Sequence, residues 1–149
     1  MRTRCAALIE MDGGFALMHR LDVKPDKENP NKPYGEYYVF PGGGLEDNET
    51  LEEATKREVL EEFGIDVIVE EQLFYREIRE YLKEYIFKCK YISGKLGTGN
   101  GPEFSGDAKY INRGKYIPEI IKKEEIKNIR LLPEELKKQL VDKIEKGLL

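Results

Sequence analysis

Apolar and polar positions alternate along much of the chain, and that alternation predicts strands. Cys5 to Glu10 and Phe15 to Leu21 are short apolar runs separated by Asp12-Gly13-Gly14. Asp-Gly between strand-like flanks predicts a hairpin, because tight hairpin turns need the left-handed backbone these residues tolerate. Asp22 to Gly35 collects Pro, Asn, Asp and Lys and is expected to be an exposed loop. Tyr37 to Phe40 predicts a brief strand ended by Pro41, and Gly42 to Gly44 with Glu46 to Asn48 predicts another loop. Ile65 to Val69, Leu73 to Ile78 and Tyr85 to Ile92 predict further strands, the last two joined around Tyr81-Leu82-Lys83. Six glycines between Ser93 and Gly114 are too many for a regular element, so a long loop is expected there. Tyr116 to Ile121 predicts a last strand.

Two segments follow a helical period instead. Thr50 to Phe63 opens on a capping box, Thr50 with Glu53, and is followed by Gly64, a good residue for the turn after a helix. Pro133 to Lys146 has Pro at its start, Glu134 and Glu135 in its first turn, Lys143 and Lys146 in its last, and an apolar stripe of Leu136, Leu140 and Ile144. No repeat interrupts the pattern. Strands dominate and two helices flank them, which predicts one α+β sandwich domain over residues 1–149.

A chain of 149 residues, 40% hydrophobic and 36% charged, can bury a core without disulfides. Its formal net charge of -4 and lack of a basic block argue against a nucleic-acid backbone as partner. A phosphate substrate would then need a cation as intermediary. Cys5 and Cys89 lie in apolar-alternating runs and are expected to be buried free thiols. No signal peptide opens the chain, and no stretch approaches the roughly 20 apolar residues of a membrane helix, so a reducing cytoplasm is the expected location.

The helix at Thr50 to Phe63 carries the chemistry. Residues in a helix turn by about 100° each, so Glu58, Glu61 and Glu62 fall within an arc of roughly 100°. Like charges one turn apart destabilise a helix by a few tenths of a kcal/mol. Leu51 and Ala54 share the arc, so these carboxylates do not sit on a purely polar face and need a counter-charge. A hard divalent cation is suited to them. The glycines before the helix allow a tight turn and a close approach to a ligand. An exposed acidic helix, with Lys56 and Arg57 as surface partners, is the competing reading from spacing alone.

Gly43 to Ile65 resembles the Nudix box. Gly43 is followed by Glu49, Arg57-Glu58, the aliphatic Val59, Glu61-Glu62, Gly64 and Ile65, so that all nine fixed positions over 23 residues match. Arg20 in the preceding hairpin, the Phe40-Pro41-Gly42-Gly43 entry and a closing C-terminal helix are similar to the family as well. The resemblance implies an α/β/α sandwich with a mixed sheet, and a loop-helix-loop that binds Mg²⁺ or Mn²⁺ on a substrate diphosphate. It implies that Glu61 and Glu62 are the main metal ligands, and that Glu58 binds the metal or activates water. The Gly42 carbonyl is implied as a backbone ligand, and Arg57 with Glu49 as the pair bracing loop against helix beside Gly43. The implied reaction is attack of metal-activated water on phosphorus.

Outside the box, many members take an extra glutamate from a loop on this side of the fold as ligand or base; Glu103 in the Gly-rich loop is the candidate, with an exposed loop acid as the competing reading and Asp107 as the weaker alternative. His19, the one histidine, is expected to be packed or at the surface. Tyr34, Tyr37, Tyr81, Tyr85, Phe104 and Tyr110 are aromatics of the type that stack on a nucleobase, though most are expected to be core or sheet-surface residues. The reading is a metal-dependent pyrophosphohydrolase that cleaves a nucleoside triphosphate, plain or modified, to monophosphate and pyrophosphate. ADP-ribose, a dinucleoside polyphosphate or another diphosphate-linked nucleotide is the alternative substrate. A non-catalytic nucleotide-binding module and a prenyl-diphosphate isomerase are rivals, disfavoured by the complete box and the single histidine. The expected partner is a small nucleotide, with neither nucleic acid nor membrane, and homodimers are common in the family.

Overall fold

The computed structural model describes residues 1–101 and 113–149. Strand β1 (Arg2–Met11) turns into β2 (Gly14–Val23), and β3 (Gly35–Val39) follows. Asp12 and Gly13 both take left-handed backbone at the β1–β2 turn, φ 49° and 77°, as the Asp-Gly signal requires. Then come β4 (Gly42–Gly44), α1 (Leu51–Phe63), β5 (Ile65–Ile78) and β6 (Leu82–Gly94). After the undescribed segment, β7 (Lys115–Lys122) leads through a 3-10 turn (Lys123–Asn128) and β8 (Leu131–Leu132) to α2 (Glu134–Glu145).

The strands join in one mixed sheet in the order β5-β6-β1-β2-β3-β8, with β4 also on β1 and β7 also on β2. β1 runs parallel to β6 and β3 runs parallel to β8, while the other pairings are antiparallel. Alternation sorts the side chains of β1 and β2 onto two faces. Ala7, Ile9, Ala16 and Met18 pack with Val59 and Phe63 of α1. Ala6, Leu8, Phe15 and Leu17 pack with Leu136 and Leu140 of α2. The expected sandwich is therefore present, with a helix on each face of a mixed sheet.

Two expectations are corrected. Gly42 to Gly44, expected as loop, is a short strand paired to Arg4–Ala6 of β1. Bare glycine backbone can join a ladder at close quarters, and a Cβ on Gly42 would overlap the Cys5 carbonyl. The two strands expected at Ile65 to Val69 and Leu73 to Ile78 are one. The exposed Glu70-Glu71-Gln72, which looked like a break, sits among register shifts that let β5 follow β6 continuously.

The capping box of α1 is formed in both directions, each bond 3.1 Å. Its other end is closed by the first part of the Gly-rich segment. Gly97 N–H donates to the Phe63 carbonyl at 3.0 Å and Gly101 N–H donates to that of Glu61 at 2.8 Å. These bonds satisfy carbonyls that a helix end leaves without partners. Gly99 lies so near that a Cβ would overlap the Glu61 carbonyl oxygen and approach the Glu62 backbone. Gly99→Ala should therefore destabilise the fold by about 1–3 kcal/mol, the usual cost of overpacking. A thermal melt matching the parent would show that this segment does not close the helix.

Candidate functional site

β1 pairs with β2 only over Ile9–Met11 and with β4 over Arg4–Ala6, while β2 goes on to pair with β3 over Met18–Arg20. Where β1 and β2 part, a cleft of about 530 Å³ opens. Gly42 to Gly44 form one wall and α1 presents Arg57, Glu58, Glu61 and Glu62 from another. The floor comes from Met18, Val39 and Phe40, and Arg2, Arg4, Arg20, Arg113 and Tyr116 complete it. Helical spacing thus places the expected carboxylates together, and the β4 pairing brings the expected glycines to face them.

Arg57 ties the parts together. Its guanidinium grips Glu49 with two parallel bonds, Nε to Oε2 at 2.7 Å and Nη2 to Oε1 at 2.9 Å. It also donates to the Gly44 carbonyl at 3.0 Å and to Glu58 at 2.9 Å, and approaches Glu61 at 3.4 Å. Glu49 in turn accepts from the Glu46 N–H at 2.9 Å. The hydrogen bond from Arg57, foremost, holds the Glu49 carboxyl below the usual carboxylate range. A depressed acid adds stability that is present above its unfolded pKa and lost as pH falls through the folded one. The bracing inferred for Arg57 and Glu49 is present as geometry, and acid should loosen it.

The carboxylates differ in their surroundings. Glu58 is half-buried, and burial pushes its carboxyl up, opposed by the bond from Arg57. It lies over Gly43, where a Cβ would come within 2.6 Å of its oxygens. Glu62 accepts from the Gly42 N–H at 2.9 Å. Glu61 is more open than Glu58, with side chains 37% and 13% exposed. All three face the cleft, but among the described residues no three acids, histidines or cysteines converge into a closed cation cluster. The donors are carboxylate and peptide oxygens, the set that hard divalent cations prefer, in an open arrangement that leaves room for phosphate and water oxygens.

Sequence reasoning missed the charges behind this wall. Arg4 donates to the carbonyls of Gly42 and Phe40, both at 3.1 Å, and to Glu84 at 2.7 Å. Glu84 is 5% exposed and also receives Arg76 at 2.6 Å, which reaches Glu135 of α2 at 3.0 Å. The signal was an acid at the core-facing parity of an apolar strand, two residues before the buried Ile86. The Gly42 carbonyl thus already accepts a bond from Arg4, and its second lone pair is the one that a ligand would use.

Of the other residues singled out, Glu103, Phe104, Asp107 and Tyr110 lie outside the described residues. His19 does not line the cleft. It is held in the sheet, stacked on Tyr38 at 4.1 Å with Nδ1 2.8 Å from Glu119, which is the packed arrangement expected. Tyr37 is buried under Arg20 and Arg130, and Tyr85 pairs with Tyr75. Tyr34 and Tyr81 are exposed, Tyr34 at the mouth of a second cavity of about 1070 Å³ with Val39, Phe40, Arg130, Leu132 and Pro133. Cys5 and Cys89 are buried free thiols, and burial pushes Cys89 up to about 12, so neither is a nucleophile of the cleft.

A sequence model of the NUDIX domain matches residues 1–146. The 8-oxo-dGTP diphosphatase of Proteus vulgaris is 64% identical over 33 residues, which cover 22% of this chain and 30% of that protein. The chain thus spans under a third of that relative's length. A structure of MutT, from a study of the Aliivibrio salmonicida and Vibrio cholerae proteins, is similar at 20% identity and a TM-score of 0.66. It covers 95% of this chain and 98% of its own. A NUDIX hydrolase from Nitrosomonas europaea is similar at 20% identity and a TM-score of 0.61, over 98% of this chain and 89% of that one.

Two neighbouring glycines should respond differently to one added methyl. At Gly42 a Cβ meets Cys5 and Ala6 backbone, so Gly42→Ala should cost about 1–3 kcal/mol by overpacking. At Gly43 the nearest atoms are the carboxylate end of the Glu58 side chain and not backbone, so Gly43→Ala should cost less and displace that carboxylate. Melting curves for the pair give the check, and equal losses would contradict the arrangement.

Proposed function

The chain belongs to the NUDIX domain family, and from that premise we propose that it is a metal-dependent pyrophosphohydrolase of nucleoside triphosphates, plain or modified, releasing a monophosphate and pyrophosphate. One observation carries this reading: Glu58, Glu61 and Glu62 face Gly42 to Gly44 across one arginine-lined cleft, with Arg57 bonded to both walls. Glu61, Glu62 and the Gly42 carbonyl would hold Mg²⁺ or Mn²⁺. When bound, such a cation polarises phosphoryl oxygens and makes water a better nucleophile at neutral pH.

The chain's own groups do the rest. Glu58, whose proton affinity burial raises, would assist the cation or accept a proton from the attacking water. Glu103 is our proposed second acid, as ligand or base. Arg57 keeps Glu49 and Gly44 fixed against the helix, so the oxygens are oriented before substrate arrives. The cleft's arginines meet the charge of the phosphates. The nucleoside end fits the adjoining cavity, whose Tyr34, Val39, Phe40, Leu132 and Pro133 supply an apolar wall beside Arg130. The Proteus vulgaris relative makes 8-oxo-dGTP a natural first member of the substrate panel. Two buried free thiols suit a reducing cytoplasm.

Purified protein should release phosphate products from nucleoside triphosphates with Mg²⁺ or Mn²⁺ and lose turnover in excess chelator. Preference for ADP-ribose or a dinucleoside polyphosphate in the same panel would move the substrate class, and full turnover in chelator would sink the mechanism.

Glu61→Gln and Glu62→Gln each keep an oxygen acceptor while removing charge from the helix's negative end. Their metal-free melts should equal or slightly exceed the parent's, while turnover falls by on the order of 10²-fold or more and Mn²⁺ binding weakens. Variants that melt well below the parent and turn over normally would make these glutamates structural.

Glu103→Gln should lower kcat by about 10²-fold with the fold intact. A near-normal kcat would leave the base within α1 or make it Asp107.

A further inference from the structure

The cleft continues into a second concavity of about 830 Å³, and the two share Arg2, Arg4, Arg20, Arg113 and Tyr116. Seven basic side chains line this bay against two acidic ones, Asp26 and Glu28, in a chain whose formal net charge is -4. The charges converge from separate elements. Arg2 comes from β1, Arg20 from β2 and Arg113 from the approach to β7, while Lys24, Lys27 and Lys32 come from the loop between β2 and β3. A concave surface of one sign concentrates its field and gathers counter-ions of the other sign.

The acids offset only part of the bay: Asp26 lies 3.8 Å from Lys32 Nζ, which leaves the other basic side chains in excess. Asp26 is turned onto its own loop, where it accepts from the N–H groups of Glu28 and Asn29 and from the Asn29 amide. Those bonds, Asn29's amide first, hold its carboxyl below the usual range. They use it to shape the loop that carries the lysines. Arg20 is likewise held: its guanidinium lies 3.7 Å above the Tyr116 ring and donates to the backbone carbonyls of Arg113 and Lys115. A planar guanidinium fixed this way is oriented in advance for a phosphate, and lysines on a loop supply adaptable point charge.

We propose that this bay binds the phosphates of the substrate farthest from the nucleoside, the pyrophosphate end of a triphosphate, and so selects triphosphates over diphosphate-linked nucleotides. The identity of the ligand rests on the function proposed above. The geometry favours a chain of phosphates over any neutral extension, because a sugar would bring no charge to a lining in which basic side chains outnumber acids. A small polyphosphate suits the bay better than a polynucleotide, since the concavity is confined and the chain as a whole is acidic.

The test titrates inorganic tripolyphosphate into the full-length protein by calorimetry, at two salt concentrations without divalent metal. Parent and the double variant Lys24→Gln/Lys27→Gln are compared, with melts to confirm equal folding, because these two lysines line the bay and not the cavity given to the nucleoside. The parent should bind, and the variant should bind at least about 10-fold more weakly with a shallower salt dependence, since fewer counter-ions are released. In kinetics, its selectivity for a nucleoside triphosphate over ADP-ribose should fall by a similar factor, through KM. Equal tripolyphosphate binding by parent and variant would overturn the proposal. So would equally tight, lysine-dependent binding of a single-stranded RNA without a triphosphate end, which would mark a polynucleotide surface. Lysine-dependent tripolyphosphate binding without hydrolysis of any triphosphate would leave the bay standing and remove the hydrolase reading instead.

Discussion

The guanidinium of Arg57 lies between a loop carboxylate, a backbone carbonyl and two carboxylates of its own helix. Charge-assisted bonds of this kind are roughly twice as strong as neutral ones, and the paired bonds to Glu49 also fix direction. Remove that cation and Glu49, Glu58 and Glu61 would lose the guanidinium that bonds all three. The stretch from Gly44 to Glu49 would then lose its side-chain tie to α1, leaving the Gly42 N–H bond to Glu62. With the Gly42 N–H bond to Glu62, this contact fixes how the glycine wall sits against the acidic helix.

A second charged group supports the same wall from behind. Glu84 is buried between Arg4 and Arg76, and Arg4 spends its remaining donors on the carbonyls of Phe40 and Gly42. Such a buried network adds little net stability compared with well-packed apolar residues, but losing one partner is costly because it strands a charge. Its consequence here is positional. β4 is only three residues long and made of glycine, so side-chain packing cannot hold it. The Arg4 bonds and the β1 ladder hold it instead, within reach of Glu58 and Glu62.

The two helices answer different demands. α2 follows a strong apolar stripe, and Leu136 and Leu140 close the core on its face of the sheet. α1 buries Ala54, Thr55, Val59 and Phe63 on one side and lines the cleft with acids on the other. Its acid-rich end is completed from outside by the N–H groups of Gly97 and Gly101, so the charge at that end has donors beside it. The glycines of that segment are therefore partly explained by close approach to the helix, a reason that composition alone does not reveal.

Local signals were enough to read α1 with both of its caps, the β1–β2 turn and the spacing of Glu58, Glu61 and Glu62, because each depends on residues within one or two turns of backbone. The box spacing also singled out Arg57 with Glu49, eight residues apart. What the sequence could not show was long-range pairing. The parallel ladder of β1 with β6 joins residues about eighty positions apart, and nothing local sets its register. The continuity of β5 through Glu70 to Gln72 and the strand at Gly42 to Gly44 depend on partners supplied by β6 and β1. The Arg4–Glu84–Arg76 group and the convergence of Arg2, Arg20 and Arg113 with the loop lysines exist only once the sheet is assembled. A sequence with net negative charge gives no hint of that local excess, since charge is summed along the chain but felt across space. Chemistry carried on one helix was thus determined by the sequence itself, while the shape and electrostatics of the cleft around it were decided by tertiary structure.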